Sequence, residues 1–444
     1  MNFSIPSHVR RFPTTRTHAA TVAAVRRASR ILLCLILCAA ASERCGAQDR
    51  SSVTGDGWGA AVPLPSLPGG FALHWPSIAM SHDTLIVAGR LVPATREAAG
   101  TAPHGVIVLQ PGGPVPLPPS AVLFAHPRSY VDAQKVYHVV WGESSVEEPG
   151  VPTDARTITD LWHASLSRGR WTAVQRVLHA SNVRWGGDQG ALFASSDGAP
   201  AVIASVTRNG SHNTVLYARL VGGTWSVSDL NMFATYASGA AQGHLVRSVF
   251  LSPDDRTPRR PLALLTRSST DGGASWSQAA LVAPVDPRSA RSITLVTTSA
   301  TAHVLWLEAS PSPDSMSVRH YSLGAGKSAW SEQPTARIPN GTVLRLWAAV
   351  TPCQDVIALV ETAIRTRASA RLQLRQVMWS RNTVSSIALF PDAASTGSIA
   401  LTAGKNTLAL LAGVSATESP DAPPRIATRT VTCGPASKKA AGRP

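Results

Sequence analysis

The sequence predicts an all-β fold in which short antiparallel sheets repeat around a ring, and three observations predict it. First, many short β-rich runs are punctuated by turn residues, Gly and Pro numbering 33 each, and no long helical period follows the N-terminus. Second, a strand, a Gly-rich turn and a Trp recur: Trp171, Trp225, Trp276 and Trp330 follow one another at steps of 54, 51 and 54 residues. Third, both ends carry half-elements. Asp56-Gly57-Trp58 starts a strand with no partner before it, and the run from Arg425 has none after it. A closed ring explains both, because the N-terminal strand then completes the last sheet and the array keeps no free end. The expected architecture is a β-propeller of seven four-stranded blades, with outer strands near 58, 115, 171, 225, 276, 330 and 384. Six blades is the alternative, because the first blade is Pro-rich from Pro111 to Pro119.

Taken in order, residues 1–47 read as an address. Arg10, Arg11, Arg16, Arg26, Arg27 and Arg30 precede the apolar run Ile31–Ala41, and small-x-small sites follow at Ala39–Ala41 and Cys45–Ala47. This is the pattern of a secretory signal peptide, with an uncleaved anchor as the alternative. Export is therefore expected, with no stable membrane span after cleavage. Much of the net charge of +15 sits in this segment, and Lys438, Lys439 and Arg443 add to it in a basic tail, 435–444, expected to be disordered. The body between, 48–434, reads as one domain. No basic-aromatic cluster with a nucleic-acid motif is present, so nucleic acid is not an expected partner. Cleavage would leave Cys353 and Cys433, which suggest one disulfide in an exported chain, two independent thiols being the alternative.

Within the body, an apolar run after a turn recurs at 85–88, 136–141, 201–206, 262–265, 303–307, 356–360 and 407–411. Each is preceded by another apolar strand, so the pairs read as inner hairpins. The Trp-bearing strands read as the outer ones, their rings packed between blades.

The stretch Ser269-Thr270-Asp271-Gly272-Gly273-Ala274-Ser275-Trp276 matches S-x-D-x-G-x-S-W. Asp271 can accept backbone N–H bonds from the turn, Gly273 supplies a positive φ, and Trp276 begins the return strand. It resembles the Asp-box of the sialidase/BNR-repeat families. The resemblance implies a propeller blade stapled by Ser269, Asp271, Gly273 and Trp276, remote from any catalytic centre. Sialidases use an Arg trio for the substrate carboxylate, a Tyr paired with a Glu as nucleophile, and an Asp as acid/base. Arg337-Ile338-Pro339 follows an outer strand here instead of opening the first blade, so no catalytic residue is carried over.

In such a ring, ligands meet the face formed by the segments entering the inner strands. The candidate ligand-binding residues there are Trp75, Arg128, Tyr130, Trp185, Asp188, Gln242, His244, Arg291 and Arg345. Trp rings and planar polar groups suit hydroxylated ligands. The chain is expected to be a monomer that binds a glycan or an envelope or extracellular protein. The alternatives are a glycoside hydrolase with a diverged site and a scaffold of an envelope assembly. No cofactor is expected, and no metal, since the His residues show no H-x-x-x-H or H-E-x-x-H spacing.

Overall fold

The structure, a computed structural model, describes residues 58–59, 62–63, 71–81, 84–93, 106–110, 113–116, 124–143, 157–185, 189–208, 212–234, 236–252, 263–285, 290–309, 315–339, 342–365, 370–380, 383–389, 394–404, 407–415 and 425–431. The expected signal segment and basic tail lie outside them. The described strands form seven antiparallel sheets, and no α-helix is among them. These are the blades of a β-propeller.

Blade 1 holds Phe71–Ser81, Thr84–Pro93, Val106–Gln110 and Gly113–Pro116. Blade 2 holds Phe124–Val131, Tyr137–Glu143 and Asp160–Ser167, with Arg170–Trp171 and Gln175–His179 both on its third strand. Blade 3 opens with Asn182–Arg184 and Ala191–Ala194, both on Pro200–Arg208, and continues through His212–Val221 to Thr224–Phe233. Blade 4 holds Tyr236–Gln242, Leu245–Ser252, Ala263–Ser269 and Ala280–Pro284. Blade 5 runs Arg291–Thr297, Thr301–Ala309 and Ser315–Gly324, then Ser331–Glu332 and Ala336–Pro339 on its third strand. Blade 6 holds Thr342–Val350, Val356–Arg365, Ala370–Ser380 and Thr383–Leu389. Blade 7 takes Ala394–Ala403, Thr407–Ser415 and Arg425–Thr430, and Val62–Pro63 is its outermost strand.

The closure expected from Trp58 is present. Val62 pairs with Ile426 and Pro63 with Arg425, while the Gly59 amide donates to the Thr428 carbonyl at 2.9 Å. Trp58 is buried between blades 6 and 7 among Ile357, Leu359, Leu374, Leu408 and Ala427. Its indole N–H donates to Gln376 Oε1 at 2.6 Å. Inner strands touch around the whole ring, the Phe71–Ser81 strand of blade 1 meeting the Ala394–Ala403 strand of blade 7.

Hydrophobic alternation creates the core. In blade 5, Val304 and Trp306 face blade 4 with Leu264, Val249 and Leu251, whereas Leu305, Leu307 and Val318 face blade 6 with Val356, Ala358 and Val377. Period-two side chains thus feed both inter-blade layers from one strand. Trp141 and Trp306 are fully buried at equivalent second-strand positions.

The Ser269–Trp276 turn ties blade 4 to blade 3. Ser269 Oγ donates to Asp271 Oδ1 at 2.7 Å and accepts the Gly273 amide at 2.7 Å. The Ser275 amide donates to Asp271 Oδ1 at 2.9 Å. These hydrogen bonds, led by those from Ser275, hold the Asp271 carboxyl far below the usual range. The turn presents the Gly272 carbonyl to Tyr217 Oη, at 2.9 Å, and to Arg219, at 3.1 Å. Trp276 meets Tyr217 edge to face at 5.2 Å.

Candidate functional site at the channel mouth

Each inner strand is an edge of its sheet, so its backbone lines the axis. A cavity of about 430 Å³ lies there, walled by Gly190–Phe193, Ser238–Ala240, Ile293–Thr297, Leu346–Ala348, Val350 and Leu401, with Arg128 on its wall, and it reaches the hairpin-end residues Thr297 and Val350. Some of the free backbone groups are met by neighbouring inner strands. The Leu295 amide donates to Ser238 Oγ at 3.0 Å, and Thr297 Oγ1 donates to the Ala241 carbonyl at 2.8 Å.

One end of this axis carries the hairpin turns. The other carries the starts of the inner strands and the connections from second to third strands, and is called the loop end below. Five inner strands shift register near the loop end: between His74 and Ser77, Ala125 and Arg128, Arg291 and Ile293, Val343 and Arg345, and Ser395 and Ile399. In blade 3 the interruption between Arg184 and Ala191 splits the strand in two. Tyr236–Gln242 of blade 4 alone runs without one. Pro76 and Pro127 lack the N–H a ladder needs. His126 and Ser292 take φ of 51° and 50°. Bulges re-aim side chains at the rims of such rings, and here they are concentrated at one rim.

Arg128 is held by its surroundings. Its guanidinium lies 5.2 Å over the Trp185 ring and donates to the Gln189 carbonyl at 3.1 Å. Trp185 is 3% exposed, and its indole N–H donates to the His126 carbonyl at 2.9 Å. Trp185 is therefore a buried support and does not offer its ring to a ligand. Gly190, at φ 74°, completes the support, because a Cβ there would lie 2.7 Å from the indole.

Carboxylates cluster at the same end. Glu143 and Asp160 are register partners across the second and third strands of blade 2, both buried. Glu143 accepts the Trp141 indole N–H at 2.8 Å. Asp160 accepts Thr159 Oγ1 at 2.8 Å and His179 Nδ1 at 2.9 Å, with Arg176 at 3.8 Å. In blade 6, Glu361 is 1% exposed and faces Arg345 at 3.9 Å. Sequence reasoning missed Asp160 and His179. The repeat Trp141-x-Glu143 and Trp306-x-Glu308 was the available signal for second-strand carboxylates.

Several candidates stand elsewhere. Gln242 and His244 belong to the hairpin turn between Tyr236–Gln242 and Leu245–Ser252, at the opposite end from Arg128. The expectation took 262–265 for the second strand of blade 4, whereas Ala263–Ser269 is its third. The polar run 253–262 therefore joins second to third strands, and the inner hairpin lies upstream of it. Tyr130 also lies near the hairpin end, where its hydroxyl donates to the Gly198 carbonyl at 3.4 Å. Asp188 lies outside the described residues, and Trp75 and Arg291 are placed by backbone alone, both at the loop end. Cys353 is disulfide-bonded, while Cys433 lies outside the described residues. A Tyr–Glu pair does form, Tyr321 Oη donating to Glu332 Oε2 at 3.2 Å beside Arg319. It occupies the two outer strands of blade 5, two and three strands from the axis, or roughly 10–15 Å away. The Tyr321 hydroxyl is shifted upward, chiefly by burial, opposite to what a nucleophile needs.

No family model matches this chain. No curated protein matches it either. Solved structures align with this chain at low identity. A Penicillium chrysogenum alpha-L-arabinanase complexed with arabinobiose aligns at 12% identity and a TM-score of 0.45, over 70% of this chain and 96% of its own. A protein of unknown function from Dyadobacter fermentans aligns at 12% and 0.47, over 83% and 98%. The β-propeller domain of the Trilobed protease from Pyrococcus furiosus aligns at 10% and 0.46, over 81% and 95%. Likeness at these levels assigns no activity to this chain.

Proposed function

We propose that this chain is an exported, sialidase-like propeller that binds the end of a glycan in its axial channel, without sialidase chemistry. The observation that carries the reading is the axial cavity with Arg128 fixed on its wall by a buried Trp185. A preformed cavity with few, oriented polar groups is how small polar ligands are held, and guanidinium and carboxylate groups give sugars bidentate partners. The hydrogen-bonded Ser269–Trp276 turn supports the sialidase-like reading. The outer position of Tyr321–Glu332 supports binding over that family's chemistry. Export rests on residues 1–47.

A glycan array followed by calorimetry tests this. Arg128→Ala removes one or two charge-assisted hydrogen bonds of about 1.5–3 kcal/mol each and weakens binding roughly 10- to 100-fold or more. Binding that survives Arg128→Ala and Arg345→Ala unchanged removes the site. An array with no glycan bound, while an envelope protein is captured, makes the ligand a protein.

A second reading, glycoside hydrolysis, has one specific observation: Glu143 and Asp160 face each other across a ladder at the loop end. A nitrophenyl glycoside panel decides it. Turnover abolished by Glu143→Gln establishes an enzyme; no turnover leaves the binding reading.

A further inference from the structure

A basic residue recurs at one register of the second strand, close to the hairpin turn. His138 of blade 2 faces Ser165, His303 of blade 5 faces Ser322, and Arg247 of blade 4 faces Ser268. Both histidines are matched from within. His138 meets Asp132 of its own turn at 3.1 Å and His163 of the third strand at 3.2 Å, and His303 meets His320 of the third strand at 3.0 Å. Arg247 has no such match. The third-strand residue in the corresponding place is Thr266, opposite Val249, and its hydroxyl donates to the Ser248 carbonyl at 2.8 Å. The turn of blade 4 is only Gly243 and His244, and it brings no carboxylate.

Two donors are left over on one face. Ala240, Val249 and Leu251 face blade 5, whereas Val246 and Phe250 face blade 3. The period of two therefore turns Arg247, and Gln242 diagonal to it across the hairpin, toward blade 5. Arg247 Nε and Gln242 Nε2 are buried and have no hydrogen-bond partner. Both atoms can only donate. Among the described residues no carboxylate pairs with Arg247. Burial alone sets its guanidinium below the ordinary value, with no acid beside it to offset that, and a guanidinium stays charged regardless. Buried polar atoms without partners are rare and point to a missing ion or water. Where both are donors and one is an unpaired cation, an anion meets the need. The layer is open at this end: Gly243, His244, Ser299 and Ala300 are exposed and Arg247 is half-buried.

We propose that Arg247 and Gln242 bind one small oxyanion, a sulfate or phosphate group, at the hairpin end between blades 4 and 5. Diagonal residues of a ladder stand about 7–8 Å apart, so a long guanidinium side chain and an amide converge on a single ion from two sides. Arg247 supplies the charge and a fork of N–H donors that suits two oxygens of such a group, and Gln242 donates to another. The site stands at the opposite end of the axis from Arg128 and does not depend on the glycan reading. Gln242 is legible in the sequence as a polar residue at a turn. Its pairing with Arg247 is not, because it rests on the hairpin register.

The test is equilibrium dialysis of the full chain against labelled sulfate and labelled phosphate at constant ionic strength, in the Arg128→Ala background, which removes the axial guanidinium. One saturable equivalent is expected. Arg247→Met keeps the apolar stem without the charge and is expected to weaken uptake about tenfold or more, and Gln242→Leu to weaken it roughly tenfold. No saturable uptake before either change, or uptake that Arg247→Met leaves unaltered, overturns the proposal. Should Arg247→Met fail to fold, Gln242→Leu decides: weaker uptake supports the site, and unchanged uptake overturns it.

Discussion

Replacing Gly273 by Ala perturbs the tie between blades 3 and 4 at its tightest point. Gly273 has φ 96°, and a Cβ there would lie 2.0 Å from Tyr217 Cε1. The backbone term is about 1–2 kcal/mol for an L-residue forced to positive φ. Moving Tyr217 aside gives up its hydrogen bond to the Gly272 carbonyl, about 1 kcal/mol. It also gives up the edge-to-face contact with Trp276, about 0.5–1.5 kcal/mol. The sum is a loss of about 2.5–4.5 kcal/mol, a large part of a typical domain's stability of roughly 5–15 kcal/mol. Urea unfolding followed by Trp fluorescence reads it as a drop in midpoint at unchanged slope. The Tyr217→Ala background separates the terms. With the ring gone, Gly273→Ala should lose only the backbone part, about 1–2 kcal/mol. Equal losses in the two backgrounds, or a loss under about 1 kcal/mol in wild type, would show that the clash with Tyr217 is not what constrains this turn.

Trp58→Phe keeps the ring between blades 6 and 7 but strips Gln376, 1% exposed, of its donor. A destabilisation of about 1–3 kcal/mol is expected by denaturant titration, and Gln376→Leu in the same chain should recover part of it. Gly239→Ala places a methyl 2.3 Å from Ile203 Cδ1 and 2.8 Å from Phe193 Cε1. It should lower stability by about 1–3 kcal/mol and be relieved by Ile203→Val. The lowered Asp271 carboxyl contributes stability above its unfolded pKa, lost only as pH falls through its folded value. Hydrogen exchange at the Gly273 and Ser275 amides should therefore stay protected through the ordinary carboxylate range; Asp271→Asn should expose the Ser275 amide at neutral pH.

The ring and its closure were legible because they follow from local signals. Turn residues mark strand ends, and Trp58, Trp171, Trp225, Trp276 and Trp330 each open or precede an outer strand, so a step of 51 to 54 residues is legible from Trp171 to Trp330. Blade 4 was misread because Leu262–Leu265 follows a polar run, as a second strand follows its turn. Only the hydrogen-bonded ladder shows that Leu245–Ser252 already holds that place. Arg128 and Arg345 were legible as residues entering inner strands. Trp185 was legible as a residue but not as a role, because its burial depends on Arg128 and Gly190 arriving from outside its own strand. Asp160 with His179, and the paired histidines, depend on register across strands, which linear spacing does not encode.

The pairing of Val62 with Ile426 has a consequence for how the molecule comes into being. During synthesis the segment around Trp58 emerges long before the strand on which it docks. Until then it is a loose apolar strand beside an incomplete circle, and the other end of the array shows an unsatisfied sheet edge to any neighbour. Contacts so distant along the chain form slowly. The completed molecule should thus be far harder to open than its half-made precursor, and crowding of nascent chains is where it is most exposed to mispairing with its own kind.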